Sequence, residues 1–271
     1  MFIRVLSRLA LLKWYRYHSF PSAHHIDVEG AASLPAYPQI AIQRSQRMIN
    51  VKKSIERPSL EEVEALARHS SATLHEAQGR RGALSSRLKP IDNAMSLCGP
   101  AFTVQGAPRD NIMLQIAIAY AQPGDIIVVA AGEYEEAGSF GDVLANAAQA
   151  RGIGGLVTDT GVRDTRDIRK LGFPVFSLSV CIKGTNKVAH GSINQPVLIG
   201  GEIIRPGDIV RGDADGLVVI RREEASEVAR LAAAREAIEA ADIQKYRDGK
   251  SVLELSAPAA ELLERGLIVE S

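Results

Sequence analysis

A chain of 271 residues, 46% hydrophobic and 24% charged, has the make-up of a globular protein and the length for one large domain or one domain with appendages. Lys and Arg (32) balance Asp and Glu (32), so no global field marks the chain for nucleic acid, and no apolar run is long enough to span a bilayer. The two cysteines, Cys98 and Cys181, lack metal or redox spacing and read as buried, reduced thiols, which places the chain in the cytoplasm.

Residues 1–47 differ from the rest. They carry six basic residues (Arg4, Arg8, Lys13, Arg16, Arg44, Arg47) and two acids (Asp27, Glu29), a net of +4 that leaves −4 for the remainder. "MFIRVLSRLALLKWYRYHSF" is basic, amphipathic and acid-free, the pattern of a targeting presequence. A true start at Met48 ("MINVKKSIERP") accounts for the same residues and is preferred here. On either reading residues 1–48 are expected to be a disordered extension and 49–271 the folded domain. His24-His25 reads as a solvated pair.

From Pro58 the elements follow in order. "SLEEVEALARH" predicts a helix with Ser59 as N-cap and Glu62 at the capping-box position. "SSATLHEAQGR" predicts a short helix ending at Gly79, and "SLCGPAFTVQG" a strand. "RDNIMLQIAIAYA" has helical spacing and an Asp110 cap. Pro123-Gly124-Asp125 turns the chain into the strand "IIVVA". A helix follows Asp142, then the strand "GGLVTDTG", the helix "TRDIRKLG" and the strand "PVFSLSV". A run of short strands comes next ("GSINQPVLI", "EIIRPGD", "IVRG", "LVVI"), divided by Gly200-Gly201 and Asp213 to Gly216. A long helix from about Glu223 to Arg247 and a short helix near "APAAELLERG" complete the chain. An α/β half followed by a β-rich half predicts a layered sandwich with C-terminal helices rather than a doubly wound sheet.

The chemistry concentrates at Gly141-Asp142 and Arg163-Asp164. Asp142 starts a helix, and Arg163-Asp164 ends the strand that follows it. In an α/β fold those two ends can meet. Two carboxylates and a guanidinium would then surround one point beside the free amides of a helix N-terminus, a suitable place for a hard divalent cation and an anionic substrate. Crowding Asp142 and Asp164 without a cation would be costly, which itself argues for a metal. The plain alternative is a surface turn with a local ion pair, aided by Asp167.

Other motifs carry less. "GIGG" at Gly152 to Gly155 follows a helix and precedes a strand, the reverse of a dinucleotide fingerprint, and reads as a helix C-cap and a packing point. No phosphate-binding loop and no nucleophile elbow occurs. Lys170, Lys183 and Lys187 lack the apolar frame of a Schiff-base lysine. His75 and His190 read as structural, and Arg235, Glu236 and Glu239 as a charged helix face or subunit contact.

Six segments resemble one family: "TLHEAQGR" (73–80), "PRDNIMLQIAIAYAQPGDIIVVA" (108–130), "FGDVLANAAQARGIGGLVTDTGVRD" (140–164), "GFPVFSLSV" (172–180), "KGTNKVAHGSINQPV" (183–197) and "RPGDIVRGDADGLVVI" (205–220). The chain is similar over about residues 55–265 to the class II aldolases of 4-hydroxy-4-methyl-2-oxoglutarate and 4-carboxy-4-hydroxy-2-oxoadipate, which share a fold with the regulators of ribonuclease E activity. "HEAQGR" and the 183–197 segment point to the oxoadipate branch, which serves the ring-cleavage degradation of protocatechuate and gallate.

The resemblance implies an α/β/β/α sandwich, a homotrimer or homohexamer with sites at subunit interfaces, and a small 2-oxo acid substrate, with neither nucleic acid nor membrane as partner. It implies that Asp164 ligates Mg²⁺ or Mn²⁺ with water filling the other positions, that Arg163 binds the pyruvyl end, and that Asp142 holds metal-bound water. The amides of Gly141, Asp142, Val143 and Leu144 would hold a carboxylate. A neighbouring subunit's glutamate would complete the outer metal shell, Glu239 being the candidate and Glu236 its rival. The implied reaction is metal-dependent retro-aldol cleavage, with oxaloacetate decarboxylation through the same enolate as a second activity. No base is evident for the C4 hydroxyl; a metal-polarised water is the economical choice. The main rival is a non-catalytic ribonuclease regulator, but those relatives typically lack an acid after the arginine. The methyltransferase label attached to the family finds no Gly-rich cofactor loop here.

Overall fold

A computed structural model describes residues 50–188 and 190–266. The expectations for residues 1–48 lie outside the described residues. All described residues belong to one compact unit.

The chain opens with β1 (Asn50–Val51), then α1 (Leu60–Ala67) and α2 (Ser71–Ala77). The capping box forms as the spacing predicts: Ser59 Oγ accepts from Glu62 N and Glu62 Oε2 accepts from Ser59 N at 2.9 Å. β2 (Lys89–Pro90), β3 (Leu97–Gln105), α3 (Ile112–Tyr120) and β4 (Ile126–Ala130) follow. The α3 cap needs correction. The N-cap is Asn111, not Asp110, but Asp110 Oδ1 still accepts from Ile112 N at 2.9 Å from one residue outside the helix. Next come α4 (Asp142–Gln149), β5 (Gly155–Val162), α5 (Thr165–Leu171) and β6 (Val175–Val180). Gly152, at φ +72°, closes the end of α4, where Ile153 N donates back to Ala148 O at 3.2 Å.

The β-rich half holds β7 (Ser192–Ile193), β8 (Val197–Ile199), β9 (Glu202–Ile204), β10 (Ile209–Gly212) and β11 (Leu217–Ile220). "GSINQPVLI" is therefore two strands and not one, because Asn194 sits at φ +58° and Pro196 follows it. A 3₁₀ turn at Arg222–Glu224 leads into α6 (Ala225–Arg247), then α7 (Val252–Leu255), which the sequence reading missed although Ser251 and Glu254 have capping-box spacing, and α8 (Ala257–Glu264). Among the described residues no helix is long and apolar enough to cross a membrane.

Strands β3, β4, β5 and β6 run parallel side by side, with β7 and β1 beyond β3 and β2 beyond β6. β3 also belongs to a second sheet. Its residues 97–100 pair antiparallel with β10, and its residues 101–105 pair parallel with β4. Both faces of β3, β4 and β5 are buried almost throughout, and β4 (IIVVA) reads as a continuous apolar run. In β4, Ile127 and Val129 face a core shared with Leu114, Phe140, Ala145 and Ile168 from the helical layer. Ile126 and Val128 face a middle core shared with Val197, Ile204, Val210 and Val219. The other side of β10 and β11, through Ile209, Val218 and Ile220, packs on Leu66, Leu74, Val228 and Ala232 of α1, α2 and α6. Helices, sheet, sheet, helices is the α/β/β/α sandwich, with its helical C-terminal segment.

Both cysteines are only half-buried, against the expectation of buried thiols. Burial nonetheless pushes the Cys98 thiol up to about 11.

Candidate active site

The C-terminal edge of the parallel sheet is where the loops after β4 and β5 converge. Gly138 pairs with Gly161, Ser139 N donates to Gly161 O at 2.9 Å, and Arg163 N donates to Phe140 O at 2.9 Å. The 138–142 loop is thus laid alongside the end of β5. Beneath it, Asn111 Nδ2 donates to Ser139 O at 2.9 Å and Ser139 Oγ bonds Thr160 Oγ1 in the interior. These contacts fix the approach of α4 to the Arg163-Asp164 pair.

Asp164 sits in the left-handed region at φ +56°, ψ +31°, at the N-cap of α5. That backbone is uncommon outside glycine and costs free energy, although aspartate tolerates it better than most residues. Its carboxylate does not cap its own helix. Oδ2 instead accepts from Asp142 N at the start of α4, at 3.3 Å, and lies 3.5 Å from Arg163 Nε. Oδ1 takes no hydrogen bond or ion pair from the described residues. Gly141 makes this approach possible. A Cβ there would stand 2.3 Å from Asp164 Oδ2 and 3.2 Å from Arg163 Nε.

Of the residues predicted from sequence, Gly141, Asp142, Arg163 and Asp164 come together, with Asp142 arriving through its backbone amide. Its carboxylate makes no hydrogen bond or ion pair with the described residues. Val143 is exposed, whereas the Leu144 side chain packs on the helical-layer core. Their amides precede the first intrahelical bond of α4, from Ala145 N to Gly141 O, and so stay free for a ligand. A cleft of about 400 Å³ opens on Arg163 and Asp164, walled by Thr165, Arg166, Val180 and Ile182. Val180 and Ile182 are solvent-exposed, so the cleft has an apolar rim beside a charged base.

Glu239 and Glu236 are not brought to this point within the chain. Glu239 pairs with Arg235 at 2.7 Å, and Glu236 Oε2 lies 2.9 Å from His69 Nδ1, on the side of α6 that packs on α1 and α2. Among the described residues no three His, Cys, Asp or Glu side chains form a metal-holding cluster.

Asp159 escaped the sequence reading. It is 2% exposed in β5 and accepts from Ala131, Gly132 and Glu133 amides at 2.6, 3.1 and 3.0 Å. Burial pushes its carboxyl up, the three amides pull it down and Glu133 adds a smaller push upward. It shapes the loop that crosses the end of β5, where Ser179 Oγ donates to Glu135 O at 2.8 Å. An acid inside the strand "GGLVTDTG" was the available signal. The same loop clarifies Lys183. Its ammonium is exposed and paired with Glu136, whose hydrogen bond and charge raise its pKa, the opposite of what a Schiff-base amine needs.

Comparison with known proteins agrees with this architecture. A putative 4-hydroxy-4-methyl-2-oxoglutarate aldolase of Halalkalibacterium halodurans is 39% identical over 155 residues, 57% of this chain and 73% of that one. The structure of Streptomyces coelicolor RraAS2, described as an unusual member of the RNase ES inhibitor RraA family, superposes with a TM-score of 0.62 at 33% identity, covering 70% of this chain and all of that one. An uncharacterized protein from Pseudomonas syringae pv. tomato gives a TM-score of 0.68 at 25% identity over 74% of this chain and 95% of its own. The RraA-like family model, described as Aldolase/RraA, matches residues 64–219, which include α4, β5 and the Arg163-Asp164 pair. On a match that takes in more than half of the sequence and both halves of the sandwich, the chain belongs to the RraA-like family.

Proposed function

We propose that the chain is a class II, metal-dependent aldolase that cleaves a 4-hydroxy-2-oxo acid to release pyruvate. The substrate would be 4-carboxy-4-hydroxy-2-oxoadipate, giving pyruvate and oxaloacetate, or 4-hydroxy-4-methyl-2-oxoglutarate, giving two pyruvates. The observation that carries the proposal is the strained Asp164, held beside Arg163 and the free amides of α4 at an open cleft.

The donor set fits a divalent cation. Asp164 offers an uncommitted carboxylate oxygen at the edge of a solvent-open cleft, and one carboxylate plus waters is an ordinary environment for Mg²⁺, or similarly Mn²⁺. A bound cation would draw electron density toward the 2-oxo oxygen. In the reaction the C4 hydroxyl would pass its proton to water, the C3–C4 bond would break with its electron pair forming the C2–C3 double bond of the pyruvate enolate, and a proton from water at C3 would then give pyruvate. Arg163 would grip the C1 carboxylate with two hydrogen bonds and hold a fixed positive charge where the enolate develops. The Val143 and Leu144 amides would add the positive end of a helix dipole for a carboxylate. Oxaloacetate has the same 2-oxo carboxylate and loses CO₂ through the same enolate, so it would be a second substrate. Assembly as a homotrimer or homohexamer would let another copy supply a carboxylate to the outer shell, Glu239 by proposal, with Glu236 as rival. The name of the Halalkalibacterium relative supports the aldolase reading.

The description of the Streptomyces relative favours a second reading, a ribonuclease-binding protein without catalysis. An acid at Asp164, after the arginine, speaks against it. Pyruvate release from the oxoadipate and from oxaloacetate separates the two. Metal-stripped protein should regain activity on addition of Mg²⁺, and Asp164→Ala should lower kcat by about 10²–10³-fold or more. A folded, Mg²⁺-loaded protein that releases no pyruvate from either compound would overturn the aldolase reading.

A further inference from the structure

A second cleft, of about 630 Å³, lies at the β1–β7 edge of the fold and shares no residue with the cleft at Arg163 and Asp164. Four segments build it: the stretch after β1, the Asn194–Pro196 turn, the Arg205–Asp208 turn and the start of the 3₁₀ turn after β11.

Asn194 lines it and is 2% exposed. Its Nδ2 donates to Lys52 O at 2.7 Å, and its backbone N donates to Thr103 O at 2.8 Å. Turning the amide over would set its oxygen against the Lys52 carbonyl, so the hydrogen-bond pattern fixes which end is which. The oxygen, Oδ1, is buried and has no hydrogen-bond partner. A buried acceptor left unmade is costly, and this one belongs to a residue of the cleft wall.

The charges in the cleft are unevenly matched. Glu56 is held by Arg222 at 2.5 Å, Glu223 by Arg222 at 2.9 Å, and Asp208 by Arg221 and the Arg205 amide. The acids are therefore committed. The Lys52 ammonium and the Arg205 guanidinium line the same cleft, and neither makes a hydrogen bond or ion pair with the described residues. Glu223 is held below the usual carboxylate range by its own backbone amide first, against a push upward from burial, and then by Arg222 and, least, by Arg205.

We infer that this cleft is a second ligand site, taking a small carboxylate that also carries a hydroxyl or ammonium group. The carboxylate pairs with Arg205 and Lys52, and the donor satisfies Asn194 Oδ1. The requirement for a donor distinguishes it from a nonspecific basic patch, which would accept any anion.

The test is calorimetric titration of the full chain carrying Arg163→Ala, so that binding at the first cleft is suppressed. The probes are L-malate and succinate, which share two carboxylates and differ by one hydroxyl. L-Malate should bind, succinate should bind about tenfold more weakly or worse, and Arg205→Gln and Lys52→Gln should each weaken malate several-fold. Both cations are exposed and uncommitted, so these variants should fold, with unchanged melting curves as the check. Equal binding of the two acids, malate binding unaffected by Arg205→Gln, or a malate Kd weaker than about 10 mM would overturn the proposal. None of these readouts depends on pyruvate chemistry, so failure here leaves the aldolase reading untouched, and the converse holds.

Discussion

At the level of single residues, Gly141 and Asp164 make an interlocked pair. Asp164 accepts a left-handed backbone so that its carboxylate can turn from its own helix to the neighbouring one, and Gly141 leaves the space that this requires. Gly141 has φ −140°, a conformation open to alanine, so Gly141→Ala should strain no backbone. Its Cβ would instead displace the Asp164 carboxylate. The expected outcome is a kcat/KM for pyruvate release lowered by about 10–100-fold with a melting temperature within a few degrees of the parent. A variant as active as the parent would show that the carboxylate need not sit there. Gly141, Asp142, Arg163 and Asp164 could be read from the sequence because each lies at the junction of a periodic segment and a turn. Asp159 stood out as an acid within a strand, but its role could not be read, because its partners are three amides on a different loop that the pairing of β4 with β5 brings near.

At the level of elements, local signals were legible and distant ones were not. The capping box of α1 involves residues three apart and formed as read. Its glutamate also accepts from Ser226 Oγ at 2.8 Å, which ties α1 to α6, and nothing in the local sequence announces that contact. The α3 cap shifted by one residue because Asp110 and Asn111 both have capping chemistry and the backbone decides between them. The most consequential distant pair is Arg57 with Asp125. The guanidinium donates to both carboxylate oxygens at 2.8 Å, and the Asp125 side chain is fully buried. It joins the segment before α1 to the turn before β4. Removing one partner of a buried ion pair leaves an uncompensated charge. Arg57→Leu should cost about 3–5 kcal/mol in urea unfolding, and Arg57→Leu with Asp125→Leu considerably less. A single variant that loses under about 1 kcal/mol would mean that water already reaches the carboxylate.

For the whole molecule, the order of elements predicted the layering, since an α/β half followed by short strands and a long helix leaves few ways to bury every face. The sequence did not show that β3 serves both sheets, because a long apolar strand looks the same whether it has one set of neighbours or two. Residues 97–100 of β3 bond to one layer and residues 101–105 to the other. The consequence is mechanical: the layers hang on a common spine, and neither can slide alone. A slip of one residue would turn Phe102 and Val104 out of the helical-side core and, in the same step, Leu97 out of the middle one. Native-state amide exchange should therefore find the slowest amides of β4, β5 and β10 opening together at one rate, whereas rates that divide by layer by more than about tenfold would mean separate opening units. Insertions should be borne better in the β8–β9 hairpin, which among the described residues forms no ladder with another strand, than anywhere along 97–105, where both layers pair.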